Sequence, residues 1–240
     1  MKTRLDRLLV DRGLAESREK AQALIMAGEV RVNGQKAVKP GQPVETDAAV
    51  EVLSRPPYVS RGGFKLAGAL QHFALDLSGK VCLDIGSSTG GFTDVMLQAG
   101  AARVHAVDVG AGQLDWKLRT DARVILHEGI NARELRFETI GELADFLACD
   151  VSFISVTLIL PAITPLLQPA GQMVILIKPQ FEAGKGQVGK GGIVRDPAVH
   201  QAACQRVEQA VREFGFETAT IESPISGAEG NKEFLLYAHH

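Results

Sequence analysis

Residues 81–94, VCLDIGSSTGGFTD, constrain this chain most. Val81, Cys82, Leu83 and Ile85 make a short apolar run of the kind buried in a parallel sheet; a Gly/Ser/Thr turn follows, and helical character resumes from about Phe92. A strand, a glycine-rich turn and a helix form a nucleotide cradle. Gly86, Gly90 and Gly91 admit close approach of a ligand, and the helix N-terminus behind Ser87 and Ser88 offers unpaired N–H groups. Asp84 sits at the strand's end, and the next apolar strand, Arg103 to Val109, also ends on an acid, Asp108, about where a Rossmann-type fold places the carboxylate that accepts ribose hydroxyls. Ser88 replaces the second glycine of a dinucleotide fingerprint, which disfavours NAD. Acids before the turn repel phosphate and attract an amino group or a sulfonium, so the expected cofactor is S-adenosylmethionine. Taken alone, the turn also fits a structural βα unit of some other α/β protein.

At 240 residues and 45% hydrophobic content, the chain can bury one full core with length left for a small second module. Charge is uneven: residues 1–80 hold 13 Lys+Arg against 9 Asp+Glu, and the remainder 13 against 19, which suggests a polyanion-facing module on an acidic catalytic body. Cys82, Cys149 and Cys204 lack CxxC spacing and the six histidines lack metal spacing, so no metal site is expected and the thiols read as reduced. The N-terminal stretch MKTRLDRLLVDRG has no apolar signal core, and no run reaches bilayer length; a soluble, cytoplasmic protein without stable membrane association is expected.

Leu5, Leu8 and Leu9 share one helical face over residues 3–12, with Gly13 as the stop. Ser17 caps a second helix carrying Ala21, Leu24 and Ile25, closed by Gly28. Val30 and Val32 lead into Asn33-Gly34, a hairpin signal, so the unit reads α-α-β over about 55 residues. Its pattern, S-R-x-x-A-x-x-L-I-x-x-G-x-V-x-V-N-G followed by K-P-G, resembles the S-four RNA-binding domain over residues 2–54. That resemblance implies a small α+β RNA-binding domain at 1–55, with Arg4, Arg18, Lys20, Arg31 and Lys36 as the candidates for phosphate contacts. Residues 56–63, rich in proline and glycine and carrying Arg61 as a further RNA candidate, read as a stiff linker.

From residue 64 the chain alternates helices and strands, as in a doubly wound parallel sheet, with the closing pair of strands allowed to be antiparallel. A helix carries Phe64, Leu66, Ala67, Leu70 and Phe73, with Lys65 off that face. A short strand precedes Glu128 and Asn131, where an adenine edge could be bound; residues 157–167 read as a buried helix, and QMVILIKPQF as a strand ending at Lys178. Asp196 and Pro197 open a helix to about Phe214, and Glu233 begins the last strand.

Asp84, Asp108, Asp150 and Lys178 all fall at the carboxyl ends of strands, where open α/β sheets bind ligands. A lysine closing a fully apolar strand beside an acid can position a hydroxyl and accept its proton. Lys65, Asp150, Lys178 and Glu233 around a D-x-G-x-x-x-G-G turn resemble the tetrad of FtsJ-type RNA ribose 2′-O-methyltransferases. With Y-V-S-R-G-G-x-K-L, D-V-S-F-I-S, I-K-P-Q-F-E and the N-terminal module, the whole chain resembles the TlyA family. The resemblance implies a Rossmann-like methyltransferase domain at 64–240 that acts on cytidine in ribosomal RNA or ribosomal subunits. It implies the tetrad as catalytic residues, with Asp84, Gly86, Ser87, Ser88, Gly90, Gly91, Phe92, Asp108, Val109, Glu128, Asn131 and Asp150 around S-adenosylmethionine. The loop GKGQVGKGG at 184–192 lacks the Ser/Thr of a P-loop; its Lys185 and Lys190 read either as RNA contacts or as a loop without function. The competing expectations are a non-enzymatic RNA-binding or assembly protein, and a haemolysin, the label some family members first received.

Overall fold

A computed structural model describes residues 2–53, 57–184, 186–227 and 230–240. The chain divides into two compact units, 1–57 and 58–240.

In the first unit, β1 (Lys2–Arg4) leads into α1 (Leu5–Asp11), α2 (Arg18–Met26), β2 (Val30–Val32), β3 (Gln35–Lys36), β4 (Pro43–Glu45) and β5 (Val50–Val52). The helices bury Leu5, Leu8, Leu9, Ala21 and Ile25 against Val30, Ala37 and Val44. Ser17 caps α2 by accepting from the Lys20 N–H at 3.3 Å, and Asn33 and Gly34, at φ 51° and 79°, turn the β2–β3 hairpin. The expected α-α-β unit is richer than its sequence suggests: β1 pairs antiparallel with β4, and β2 lies between β3 and β5. These strands are two or three residues long, too short for an alternation to register.

The second unit begins earlier than expected. Tyr58 and Val59 pack on the main core, the Val59 N–H donates to Asp94 at 2.9 Å, and α3 (Gly62–His72) starts two residues before Phe64, so residues 58–63 are part of this unit rather than a linker. Residues 54–56 lie outside the described residues. Then come β6 (Val81–Ile85), α4 (Gly91–Gln98), β7 (Arg103–Asp108), α5 (Trp116–Arg119), β8 (Val124–Glu128), α6 (Phe137–Ile140) and β9 (Ala144–Cys149). They are followed by α7 (Leu160–Ile163), β10 (Leu167–Ile177), α8 (Pro179–Glu182), α9 (Pro197–Arg212), β11 (Glu217–Glu222) and β12 (Phe234–His239). The seven strands run in the order β11-β12-β10-β9-β6-β7-β8. Those from β10 to β8 are mutually parallel, and β12 is antiparallel to both neighbours. The sheet is Rossmann-like, with an antiparallel closing strand as expected.

Strands covered on both faces need apolar residues on both. In β9, Leu147 and Cys149 join Ile159, Leu160, Val207 and Val211 on one side, while Phe146 and Ala148 join Leu66, Phe92 and Met96 on the other. Residues 157–167 do not form the single helix expected. Pro161 and Pro165 each lack an N–H, and the segment breaks into a 3₁₀ turn, α7 and a second 3₁₀ turn before β10 starts at Leu167.

Candidate active site

The strand order reverses between β6 and its neighbours β7 and β9, and the crevice opens beyond their carboxyl ends. A cavity of about 390 Å³ lies there, lined by Gly86 and Ser88, by Asp108, Val109 and Gln113 after β7, by Ile130 to Ala132, and by residues 150–154 after β9. A smaller one of about 100 Å³ adjoins it, lined by Ser60, Gly62, Gly86 to Thr89, Gly91, Phe92 and Asp150. Gly86, Ser88 and Asp150 line both.

The turn is shaped by steric demand. Gly86 has φ +86°, and a Cβ there would fall 2.4 Å from the Asp150 carbonyl oxygen, so the β6 and β9 ends approach as closely as backbone permits. Ser88 takes φ +48° and donates its backbone N–H to Asp108 Oδ2 at 2.7 Å; Gly110 N–H donates to Asp108 Oδ1, also at 2.7 Å. A Cβ on Gly91 would meet Ser60 Oγ at 2.3 Å, so the 58–63 segment presses directly on the start of α4.

Three expected cofactor residues stand apart from the cavities. Asp84 is wholly buried beneath the turn, where it accepts from Thr93 Oγ1 at 2.5 Å; burial pushes its carboxyl up to about 7, against the Thr93 hydrogen bond. Glu128 points away, pairing with Arg119 and accepting from the Gly112 N–H at 2.7 Å, so it braces the 109–115 loop. Gly90, at φ +96°, faces Leu118 and Leu114. Asn131 does line the larger cavity, although its side chain accepts from the Arg133 N–H at 3.1 Å.

The four charged residues of the expected tetrad converge as two ion pairs. Lys178 Nζ lies 2.6 Å from Asp150 Oδ1 and donates to Ser152 Oγ at 2.7 Å; Lys65 Nζ lies 2.6 Å from Glu233 Oε2. Lys65, Lys178 and Glu233 are at most 9% exposed, an unusual depth for charged side chains that signals pairing. The pairing Ile177↔Phe234 sets Lys178 opposite Glu233 at the ends of β10 and β12, so the two pairs sit side by side. The loop after β9 is held from the other motif: Glu182 accepts from Ser155 Oγ at 2.5 Å and from the Val156 N–H at 2.8 Å. Phe153, at φ +66° and 91% exposed, projects from that loop with its ring 5.3 Å from Phe181.

Sequence reasoning did not assign Ser60, Gly62, Gln113, Ile130, Ser152 or Phe153. The motif D-V-S-F-I-S pointed at two of them, but nothing in spacing says which of its side chains turns inward. Of the expected RNA contacts, Arg61 and Lys190 are exposed, Lys20 pairs with Glu16, and Arg31 stands opposite Lys36 in the hairpin. Arg4 and Arg18 both bind Asp6. Lys185 lies outside the described residues. Among the described residues no group of three or more His, Cys, Asp or Glu is placed to hold a metal ion, and no helix is long and apolar enough to cross a membrane.

The FtsJ-like methyltransferase family model matches residues 58–240 and the S4 domain model residues 3–50. The chain is 47% identical over 239 residues to the 16S/23S rRNA (cytidine-2′-O)-methyltransferase TlyA of Mycobacterium tuberculosis, covering 98% of this chain and 89% of that one. It belongs to the TlyA family of FtsJ-like methyltransferases. Within that family it is also 44% identical to Hemolysin A of Brachyspira hyodysenteriae, over 98% of both chains. A solved structure from Streptococcus thermophilus, described as a candidate hemolysin, superposes with a TM-score of 0.75 at 45% identity, over 99% of this chain and 88% of that one.

Proposed function

We propose that this chain transfers a methyl group from S-adenosylmethionine to a ribose 2′-hydroxyl of ribosomal RNA, cytidine being the expected nucleoside. The observation that carries the reading is the double ion pair, Lys178 with Asp150 and Lys65 with Glu233, of which Asp150 lines both cavities and Lys178 bonds Ser152 in the larger one.

The cavities suit that cofactor. Gly86 lets the β6 and β9 ends meet beneath both cavities, Ser87 Oγ is buried there without a hydrogen-bond partner among the described residues, and a small polar recess adjoins a larger, more apolar one. Asp108 would take the ribose hydroxyls: each oxygen accepts one backbone N–H, and a carboxylate has about four acceptor sites, so capacity remains. Val109, Ile130 and Ile159 would flank the adenine, with Asn131 at its edge. Ser60, Gly62, Ser87 and Phe92 would enclose the amino-acid end. The bound cofactor supplies an electrophilic methyl group on a positively charged sulfur.

Lys178 would hold the substrate 2′-oxygen in line with that methyl and, in its neutral form, accept the hydroxyl proton. Asp150 and Ser152 aim the Lys178 ammonium from two sides, and Lys65 and Glu233 complete the polar wall. Alignment of the displacement then accounts for most of the acceleration. Phe153 presents an aromatic face beside Ser152 on which the target base would stack, as unstacked RNA bases do on exposed aromatic side chains. The S4 unit would hold the RNA by its phosphates.

Transfer of labelled methyl to ribosomal RNA from a strain lacking this protein tests the reading, with Lys178→Ala beside the unaltered chain. Ribose methylation that disappears in the variant is expected. RNA binding without transfer to naked RNA or isolated subunits would instead make this a non-enzymatic assembly protein. Relatives do carry the haemolysin name, but a membrane-lytic role would need a free apolar helix face, and α9, the longest helix among the described residues, places Ala203, Val207 and Val211 in the protein core.

A further inference from the structure

The last residues that β9 and β10 pair are Cys149 and Ile175, so the sheet alone does not fix how Asp150 and Lys178 meet beyond their ends. Asp150 keeps an anchor of its own, its N–H donating to the Ile85 carbonyl at 2.8 Å. After it, the N–H groups of Ser152 to Ser155 donate to no main-chain carbonyl among the described residues. Ile154 packs on the core; otherwise side chains of the Lys178 segment hold this loop. Lys178 Nζ donates to Ser152 Oγ at 2.7 Å, the Phe153 ring lies 5.3 Å from that of Phe181, and Glu182 accepts from Ser155 Oγ at 2.5 Å and from the Val156 N–H at 2.8 Å. The contacts run in step along both segments, outward from the ion pair.

Of the side chains that hold the loop, Glu182 lies deepest, 4% exposed, with each carboxylate oxygen given to one donor. Burial raises its carboxyl and both hydrogen bonds act against that rise, so the group depends on those donors. Its place relative to Lys178 is fixed. α8 starts at Pro179, a residue suited to a first helical position, and the Phe181 N–H closes on the Lys178 carbonyl at 2.9 Å. Arg206 of α9 donates Nη1 to the Glu182 carbonyl, also at 2.9 Å. Releasing Ser155 and Val156 from Glu182 therefore frees Ser152 before it frees Asp150, which β6 still holds.

We infer that Glu182 is a positioning residue for the methyl transfer: it holds Ser155 and Val156 so that Ser152, three residues before Ser155, meets the Lys178 ammonium. What it supplies is a two-point hydrogen bond rather than a charge. A glutamine keeps both points, its amide oxygen accepting from Val156 and its NH₂ donating to Ser155. The Ser155 hydroxyl serves as donor or acceptor, and Thr157 Oγ1, 2.8 Å away, can take its proton instead.

The inference rests on the methyl-transfer reading above, and its test separates the two. Single-turnover transfer at saturating RNA and S-adenosylmethionine is measured for Glu182→Ala, Glu182→Gln, Ser152→Ala and the double variant Glu182→Ala/Ser152→Ala, with cofactor affinity by calorimetry. Glu182→Ala should be about tenfold slower, as a sub-ångström misplacement at a reacting centre would cause, with cofactor affinity within about threefold because Asp150 keeps its anchor. Glu182→Gln should recover most of that loss. Because Glu182 acts through Ser152, the double variant should be about tenfold slower than the unaltered chain, not about a hundredfold. Losses that multiply, a glutamine variant as slow as the alanine one, cofactor affinity lost in step with rate, or Glu182→Ala within about twofold of the unaltered chain each overturn the inference while the methyl-transfer reading stands. If Glu182→Ala does not fold, Ser155→Ala, which removes one of the two bonds, takes its place in the same cycle. An unaltered chain that transfers no methyl overturns the reading itself.

Discussion

Asp108 holds the Ser88 backbone N–H at 2.7 Å, and Ser88 is a non-glycine residue with φ +48°. That left-handed conformation costs an L-residue about 1–2 kcal/mol, which the charge-assisted hydrogen bond offsets. Asp108 therefore has two duties: it shapes the cofactor turn, and it faces the cavity. Asp108→Ala is expected to weaken S-adenosylmethionine binding at least tenfold by calorimetry. Ser88→Ala should bind within about threefold of the unaltered chain, because Asp108 is held by main chain; a large loss there would transfer the role to the Ser88 hydroxyl.

Lys178 sits between Asp150 at 2.6 Å and Ser152 at 2.7 Å, so its direction is fixed twice. Removing a group that positions or accepts a proton in such a reaction lowers the rate by roughly 10²–10⁴. Lys178→Ala should lose that much in single-turnover methyl transfer, with cofactor affinity within a few fold of normal. Ser152→Ala, which leaves Asp150 in place, should lose about tenfold. Equal losses in both variants would mean that Ser152 touches substrate directly.

Much of this site was legible in the sequence because charged residues at strand ends have few uses. Asp150 and Lys178 close apolar runs, and the sheet brings such ends to one edge whatever the intervening loops do. Glu128 closes a strand too, but at the sheet's outer edge, where the neighbouring Arg119 claims it. Asp84 failed for a different reason: the Gly86 turn passes over it, so it lies under the cavity floor. Ser60 and Gly62 were missed because a stretch rich in proline and glycine reads as a connection. The packing of Tyr58, whose ring lies 5.4 Å from that of Phe64, and the Val59 N–H bond to Asp94 show where the connection ends.

Phe153 combines 91% exposure with φ +66°, strain that a packing role would not require. Stacking of one base on an aromatic side chain contributes about 1–3 kcal/mol, so Phe153→Ala should reduce kcat/KM for RNA by roughly tenfold or more. The melting temperature should not fall, because little of the ring is buried. Phe153→Tyr should retain activity. A variant that loses stability and activity together would assign Phe153 to the packing of the loop.

Asp84 provides a pH signature. Its carboxyl rises from an ordinary 3.8 to about 7 in the folded protein, chiefly through burial. Between those values the folded carboxyl stays protonated while the unfolded one is ionised, so unfolding releases a proton and stability falls as pH rises from about 4 to about 7. Above the folded value this contribution is level. Asp84→Asn fixes the neutral form and removes the dependence. Urea unfolding at pH 5 and pH 8 should therefore show the asparagine variant gaining on the unaltered chain as pH rises. The gain should reach a few kcal/mol at most, because each pH unit crossed between the unfolded and folded values contributes about 1.4 kcal/mol. If the unaltered chain gains instead, the carboxylate is ionised beneath the turn and held there by a cation.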